Sequence, residues 1–206
     1  MELNAAAIKQ WMHHTNETIQ ENKEYLTDLD QKIGDGDHGI NMARGFQAVA
    51  DKLNEQDYDT VSDVLKDTAM TLMSKVGGAS GPLFGTAFLR FSTAVKGQET
   101  INATDFAKGI REAAQGIMDR GKVQPEEKTL VDVWLPTAQY LEDASEFDAE
   151  AMKQTAKEAM EKTKDMVAAK GRAAYFKEKS AGHIDPGAAS SYYLFAALAE
   201  ILGEEG

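Results

Sequence analysis

The sequence predicts an all-α protein of roughly eight antiparallel helices in one domain. Three observations lead there. Apolar residues recur at helical spacing along nearly the whole chain, no stretch alternates β-branched residues between hairpin turns, and only four prolines interrupt it. The connections between periodic stretches are short, which favours antiparallel neighbours.

The first helix is expected over 4–22, where Ile8, Trp11, Met12 and Ile19 share one face. Helices over 38–54 and 60–75 come next. A fourth, 82–97, opens at Pro82, whose fixed φ and missing N–H suit a first helical turn. Phe106, Ile110, Ala113 and Ile117 define a helix over 104–119, and another is expected over 129–143. The span 149–169 carries Met152, Ala156, Ala159, Thr163 and Met166 on one side. The last, 187–203, begins after Pro186 and presents Tyr192, Phe195, Ala196, Ala199 and Leu202. With no internal repeat, low-complexity tract or linker, residues 1–206 are expected to form a single domain.

Composition narrows the function. The chain has 206 residues, enough for a substantial core. Its net charge of −12 opposes nucleic-acid backbones and anionic membrane surfaces. With no cysteine there is no disulfide, Cys zinc site or thiol nucleophile. The N-terminus lacks a basic segment followed by an apolar stretch, so no secretory signal is expected. The longest apolar stretch, Tyr192–Leu202, contains Glu200 and is too short to span a bilayer. A soluble, cytoplasmic protein is expected.

Glycines and acids concentrate in three connections, 30–41, 77–82 and 182–187, which an up-and-down array can place at one end. The first reads Asp30-Gln-Lys-Ile-Gly-Asp35-Gly-Asp37-His38-Gly-Ile-Asn41. In an extended turn Asp35 and Asp37 face one side. Converging carboxylates repel unless a cation joins them, and Mg²⁺ prefers such hard oxygen ligands. A solvated acidic turn capping the next helix fits the same residues. A calcium EF-hand does not, because its twelfth position would be Phe46 rather than Glu.

The second connection, Gly77-Gly78-Ala79-Ser80-Gly81-Pro82, precedes an apolar helix. Consecutive N–H groups in such a turn, with the helix dipole behind them, suit an anion. Taken alone, such a small-residue loop more often serves close helix packing than a phosphate. There is no Lys-Ser/Thr ending, hence no Walker A loop. Near the C-terminus, Arg172 is a candidate phosphate fork and Asp185 a candidate helix cap. His38 and His183 more often serve structure than catalysis. Without a convincing nucleophile, the remaining chemistry is metal-assisted phosphoryl transfer.

Four strings, EYLTDLDQKIGDGDHGINMARGF, LMSKVGGASGPLFGT, MDRGKVQPEEKTLVDVW and KGRAAYFKEKSAGHIDPGAAS, occur in this order over nearly the whole chain. Together they resemble the L-subunit family of dihydroxyacetone kinases. The resemblance implies an antiparallel eight-helix barrel with a nucleotide, ADP or ATP, in the loops at one end. It implies Asp30, Asp35 and Asp37 as ligands of two Mg²⁺ ions. It puts His38, Gly39, Ile40 and Asn41 along the nucleotide, and backbone N–H groups of Ala79 and Ser80 on phosphate. Gly121, Leu130, Arg172, Asp185, Pro186 and Gly187 complete the implied pocket. The chain departs from the family where Pro125-Glu126-Glu127-Lys128-Thr129 replaces the usual Pro-Gly-Asp-Lys-Thr, and where Leu130 replaces a frequent Met.

The resemblance further implies partners. In the form coupled to the phosphoenolpyruvate:sugar phosphotransferase system, the nucleotide stays bound. It accepts phosphoryl from a phosphohistidine on an M subunit and passes it to dihydroxyacetone on a K subunit. An L-type domain of a fatty-acid kinase, or a nucleotide-loaded regulator of a transcription factor, are the alternatives. The oligomeric state, a homodimer included, is left open by the sequence.

Overall fold

The structure, a computed structural model, describes residues 1–204. Among these, nine α-helices run in chain order: α1 (Ala5–Glu21), α2 (Lys23–Ile33), α3 (His38–Asn54), α4 (Val61–Lys75), α5 (Ser80–Ala94), α6 (Ala103–Gly121), α7 (Val131–Asp143), α8 (Ala149–Lys162) and α9 (Pro186–Glu204). Two short strands, β1 (Glu2–Asn4) and β2 (Thr100–Asn102), pair antiparallel with Leu3 opposite Ile101. No helix among the described residues is long and apolar enough to cross a membrane.

The packing is a closed ring. Each of α3, α4, α5, α6, α7 and α8 packs on the next, α8 packs on α9, and α1 closes the circle between α9 and α3. Eight helices form this barrel, as expected. The ninth, α2, lies outside it against α3 and α9. Its apolar positions, Leu26, Leu29 and Ile33, are few and spaced among charged residues, which hides the helix in the sequence.

Local signals explain most boundaries. Asn4, Thr60, Asn102 and Asp148 cap α1, α4, α6 and α8 with side-chain oxygens, and Asn102 with Asp105 makes a reciprocal capping box. Helix α8 stops at Lys162 rather than continuing to 169. A 3-10 turn, Thr163–Asp165, comes after it, and the carbonyls of Thr163 and Met166 accept from Lys128 Nζ rather than from a further helical turn. A second 3-10 segment spans Arg172–Ser180.

The barrel interior is aromatic. Trp11, Phe84, Phe88, Phe91, Phe106, Trp134 and Phe195 are fully buried. Trp134 lies edge-on to Phe84, Phe88 and Phe195, with the Phe195 centroid 5.1 Å away. Each such pair adds about 0.5–1.5 kcal/mol beyond its buried area. Both indoles are satisfied, Trp11 Nε1 donating to the Leu194 carbonyl at 2.7 Å and Trp134 Nε1 to Ser191 Oγ at 3.0 Å.

Candidate functional site

Alternation around the ring brings the N-termini of α3, α5, α7 and α9 to one cleft, which is lined by residues from 30–41, 77–83, 128–130, 170–173 and 185–187. The three connections singled out in the sequence therefore meet. Four helix dipoles present positive ends here, and this favours a polyanion in an otherwise acidic protein.

The acidic wall is built from the last turn of α2. Asp30 is buried, and its Oδ2 accepts the N–H groups of Asp37 at 2.9 Å and His38 at 3.1 Å. It thereby caps α3 across the intervening loop. Burial raises the Asp30 pKa, the two N–H groups oppose the rise, and Asp35 and Asp37 add to it. A Cβ at Gly34 would sit 2.0 Å from Asp30 Oδ1, so the close turn requires glycine. Oxygens of Asp30, Asp35 and Asp37 lie within 4.8 Å of one another. Three carboxylates this close, one of them buried, match the hard-oxygen donor set of Mg²⁺. Arg172, largely exposed, pairs with Asp35 at 2.5 Å.

Helix starts supply much of the rest of the lining. Gly78 takes a φ of +65° at the turn into α5, and Ala79 and Ser80 lie at the helix start. The His38 ring bridges two helix starts: Nδ1 lies 3.2 Å from Ser80 Oγ and Nε2 lies 3.0 Å from Ser190 Oγ. Burial lowers the His38 pKa to about 4, so the ring is neutral near pH 7. Asn41 Oδ1 accepts from Arg44, which also donates to the Lys75 carbonyl. At the start of α9, Asp185 Oδ2 accepts the Ala188 N–H at 2.8 Å. Desolvation pushes the Asp185 pKa up to about 7, against the Ala188 N–H and the Lys128 charge.

Of the residues expected at the site, Asp30, Asp35, Asp37, His38, Asn41, Ala79, Ser80, Leu130, Arg172, Asp185, Pro186 and Gly187 line the cleft. Gly121 lines an adjoining recess with Leu83, Val123 and Leu130, an apolar extension that shares Ala79 and Gly171 with the cleft. Gly39 and Ile40 are not brought to it. A Cβ on Gly39 would meet the Lys23 carbonyl at 2.1 Å, so this glycine serves the approach of α3 to α2. Ile40 is half exposed and lines neither space. Sequence reasoning missed Lys128, Thr129 and Leu83. Nothing in a polar Glu-Glu-Lys-Thr stretch marks its lysine as buried.

A cleft that combines a carboxylate triad with helix N-termini suits a metal-bound polyphosphate, with an apolar recess for a base. The comparisons with known proteins agree in family. The chain is 50% identical over 91% of its length, and 92% of the relative's, to a Listeria innocua protein named PEP-dependent dihydroxyacetone kinase 1, ADP-binding subunit DhaL. It is 41% identical over 97% of its length, and 98% of the relative's, to the Escherichia coli ADP-binding subunit DhaL of PEP-dependent dihydroxyacetone kinase. The dihydroxyacetone kinase from C. freundii, solved in complex with AMP-PNP and Mg²⁺, shares the fold with a TM-score of 0.75 at 22% identity, over 98% of this chain and 35% of that one. The model of the DAK2 domain matches residues 32–200, and the chain belongs to that family.

Proposed function

We propose that this chain is the nucleotide-carrying subunit of a phosphoenolpyruvate-dependent dihydroxyacetone kinase. Near-full-length likeness to relatives so named supports the reading. The observation that carries it is a carboxylate triad sharing one cleft with four helix N-termini.

Asp30, Asp35 and Asp37 would hold two Mg²⁺ ions, which supply charge neutralisation at the phosphates. The charge balance favours two: three aspartates and ATP total about −7, and two ions return about +4. The chain's own groups do the rest. Backbone N–H groups of Ala79 and Ser80, at the start of α5, meet phosphate oxygens. The recess of Leu83, Gly121 and Leu130 takes the adenine. Arg172, beside the triad, would supply a guanidinium to the terminal phosphoryl group.

The bound nucleotide would itself accept phosphoryl from the donor, with no covalent intermediate on the chain. On this reading the donor and dihydroxyacetone come on other subunits, an M-type and a K-type, and the nucleotide is a carrier, in keeping with relatives named as one subunit of such a kinase. Mass spectrometry of nucleotide released from protein purified in Mg²⁺ should find ADP or ATP near one per chain. The chain alone, given ATP, Mg²⁺ and dihydroxyacetone, should form almost no product, and adding a K subunit should allow about one turnover per bound ATP. Sustained turnover should require the phosphorylated M subunit. Robust turnover by the isolated chain would contradict a carrier role.

A further inference from the structure

Lys128 is 1% exposed, a setting lysine almost never occupies. Its Nζ donates to the carbonyls of Thr163, Met166 and His183, the Met166 bond being 3.2 Å. An ammonium has three protons, and these three bonds use them all. The backbone carrying it is unusual as well. Lys122, Glu126 and Lys128 take φ values of 52°, 68° and 62°. Left-handed non-glycine residues are costly and persist where their surroundings dictate them. Burial lowers the Lys128 pKa, while Asp185, Asp165 and Asp132 favour the charged form.

A methionine of similar length would fill the space but leave three carbonyls without their donor, so the ammonium is the group these segments share. The three accepting residues do not line the cleft, but segments just downstream of them do. Lys170, Gly171 and Arg172 come after the Thr163–Met166 turn, Asp185 to Gly187 come after His183, and Thr129 and Leu130 come after Lys128 itself.

Resting on the nucleotide-site reading above, we infer that Lys128 is a positioning residue whose buried ammonium ties three separate backbone segments into one wall of the nucleotide cleft. It sets the distance between Arg172, the Asp185 turn and Leu130. It therefore acts on nucleotide affinity through the loops it joins.

The chain has no cysteine, which permits a clean exchange of the ammonium. Lys128→Met removes the charge at near-constant volume. Lys128→Cys, alkylated with 2-bromoethylamine while unfolded and then refolded, restores it. Calorimetric titration with MgADP should show affinity weakened by about tenfold or more in folded Lys128→Met, since a buried charge-assisted contact is lost. The aminoethylated form should return to within about threefold of wild type. Equal affinity in wild type and Lys128→Met would overturn the inference alone, and so would an aminoethylated form as weak as the unmodified cysteine variant. Should Lys128→Met not fold, wild type carries the test. MgADP should slow amide hydrogen exchange across 163–166 as well as 35–41, and slowing confined to 35–41 would overturn the inference. A wild-type chain that takes up no MgADP would remove the functional reading, and this inference with it.

Discussion

Arg172 and Asp35 form an ion pair at the mouth of the cleft, and the same carboxylate belongs to the triad proposed to hold metal. Guanidinium and Mg²⁺ then compete for Asp35 in the nucleotide-free protein. Arg172→Ala should raise Mg²⁺ affinity by up to about fivefold, the span expected of an exposed pair, in equilibrium dialysis without nucleotide. It should also slow single-turnover phosphoryl transfer by about a hundredfold. Unchanged Mg²⁺ affinity would mean the pair does not compete. Asp185 yields a pH prediction. Its pKa is raised to about 7 from an ordinary value of 3.8, so between these values the folded protein holds the extra proton. Its contribution to stability therefore falls as pH rises through that window. His38, lowered to about 4, acts in the opposite sense between pH 4 and 6.5, so the net slope alone is uninformative. Asp185→Asn should make the slope of unfolding free energy between pH 4 and 7 more positive, by at most about 1.4 kcal/mol per pH unit. An unchanged slope in denaturant titrations would contradict a buried, proton-holding Asp185. The triad is legible through the four strings that resemble the family, because acids and glycines at this spacing alone also fit a solvated capping turn. Lys128 is not, since a lysine among charged neighbours reads as solvated until three distant carbonyls are found around it.

At the scale of elements, the ring helices announce themselves by apolar period, while α2 does not. Only its Leu26, Leu29, Asp30 and Ile33 are buried. Yet α2 carries Asp30 to the cleft and receives α3 at Gly39. Gly39→Ala would press a methyl group onto the Lys23 carbonyl, 2.1 Å away, and onto the Thr27 backbone nitrogen at 2.8 Å. Relief requires α3 to move from α2, shifting Asp37 and His38 relative to Asp30. A loss of about 1–3 kcal/mol is expected, seen as a lower melting temperature. Nucleotide retention should fall at temperatures where the variant is still fully helical. A variant that loses stability but holds nucleotide as wild type does would show that this contact does not set the site. The end of α8 at Lys162, short of the expected 169, has a related cause. Thr163 and Met166 keep the apolar period, but their carbonyls are taken by a side chain 35 or more residues away in sequence. Long-range capture of this kind leaves no local mark.

For the whole molecule, the barrel core and the site are separable. The aromatic interior is complete without any ligand, whereas the triad brings like charges together. Binding should therefore add stability to a fold that already stands. A ligand at a thousandfold excess over Kd adds about 4 kcal/mol. EDTA should accordingly lower the melting temperature of nucleotide-loaded protein by about 8–16 °C, at roughly 2–4 °C per kcal/mol for a chain of this size. The same separation means that neutralising one carboxylate should leave helicity intact while abolishing metal-dependent binding. The most direct test is calorimetric titration of ADP into wild type, Asp35→Asn and Asp37→Asn, each with and without Mg²⁺. Wild type should bind ADP tightly only with Mg²⁺, and both variants should lose that dependence while keeping the wild-type far-ultraviolet circular dichroism. Folded variants that bind MgADP as tightly as wild type would contradict a nucleotide held through metal at Asp30, Asp35 and Asp37.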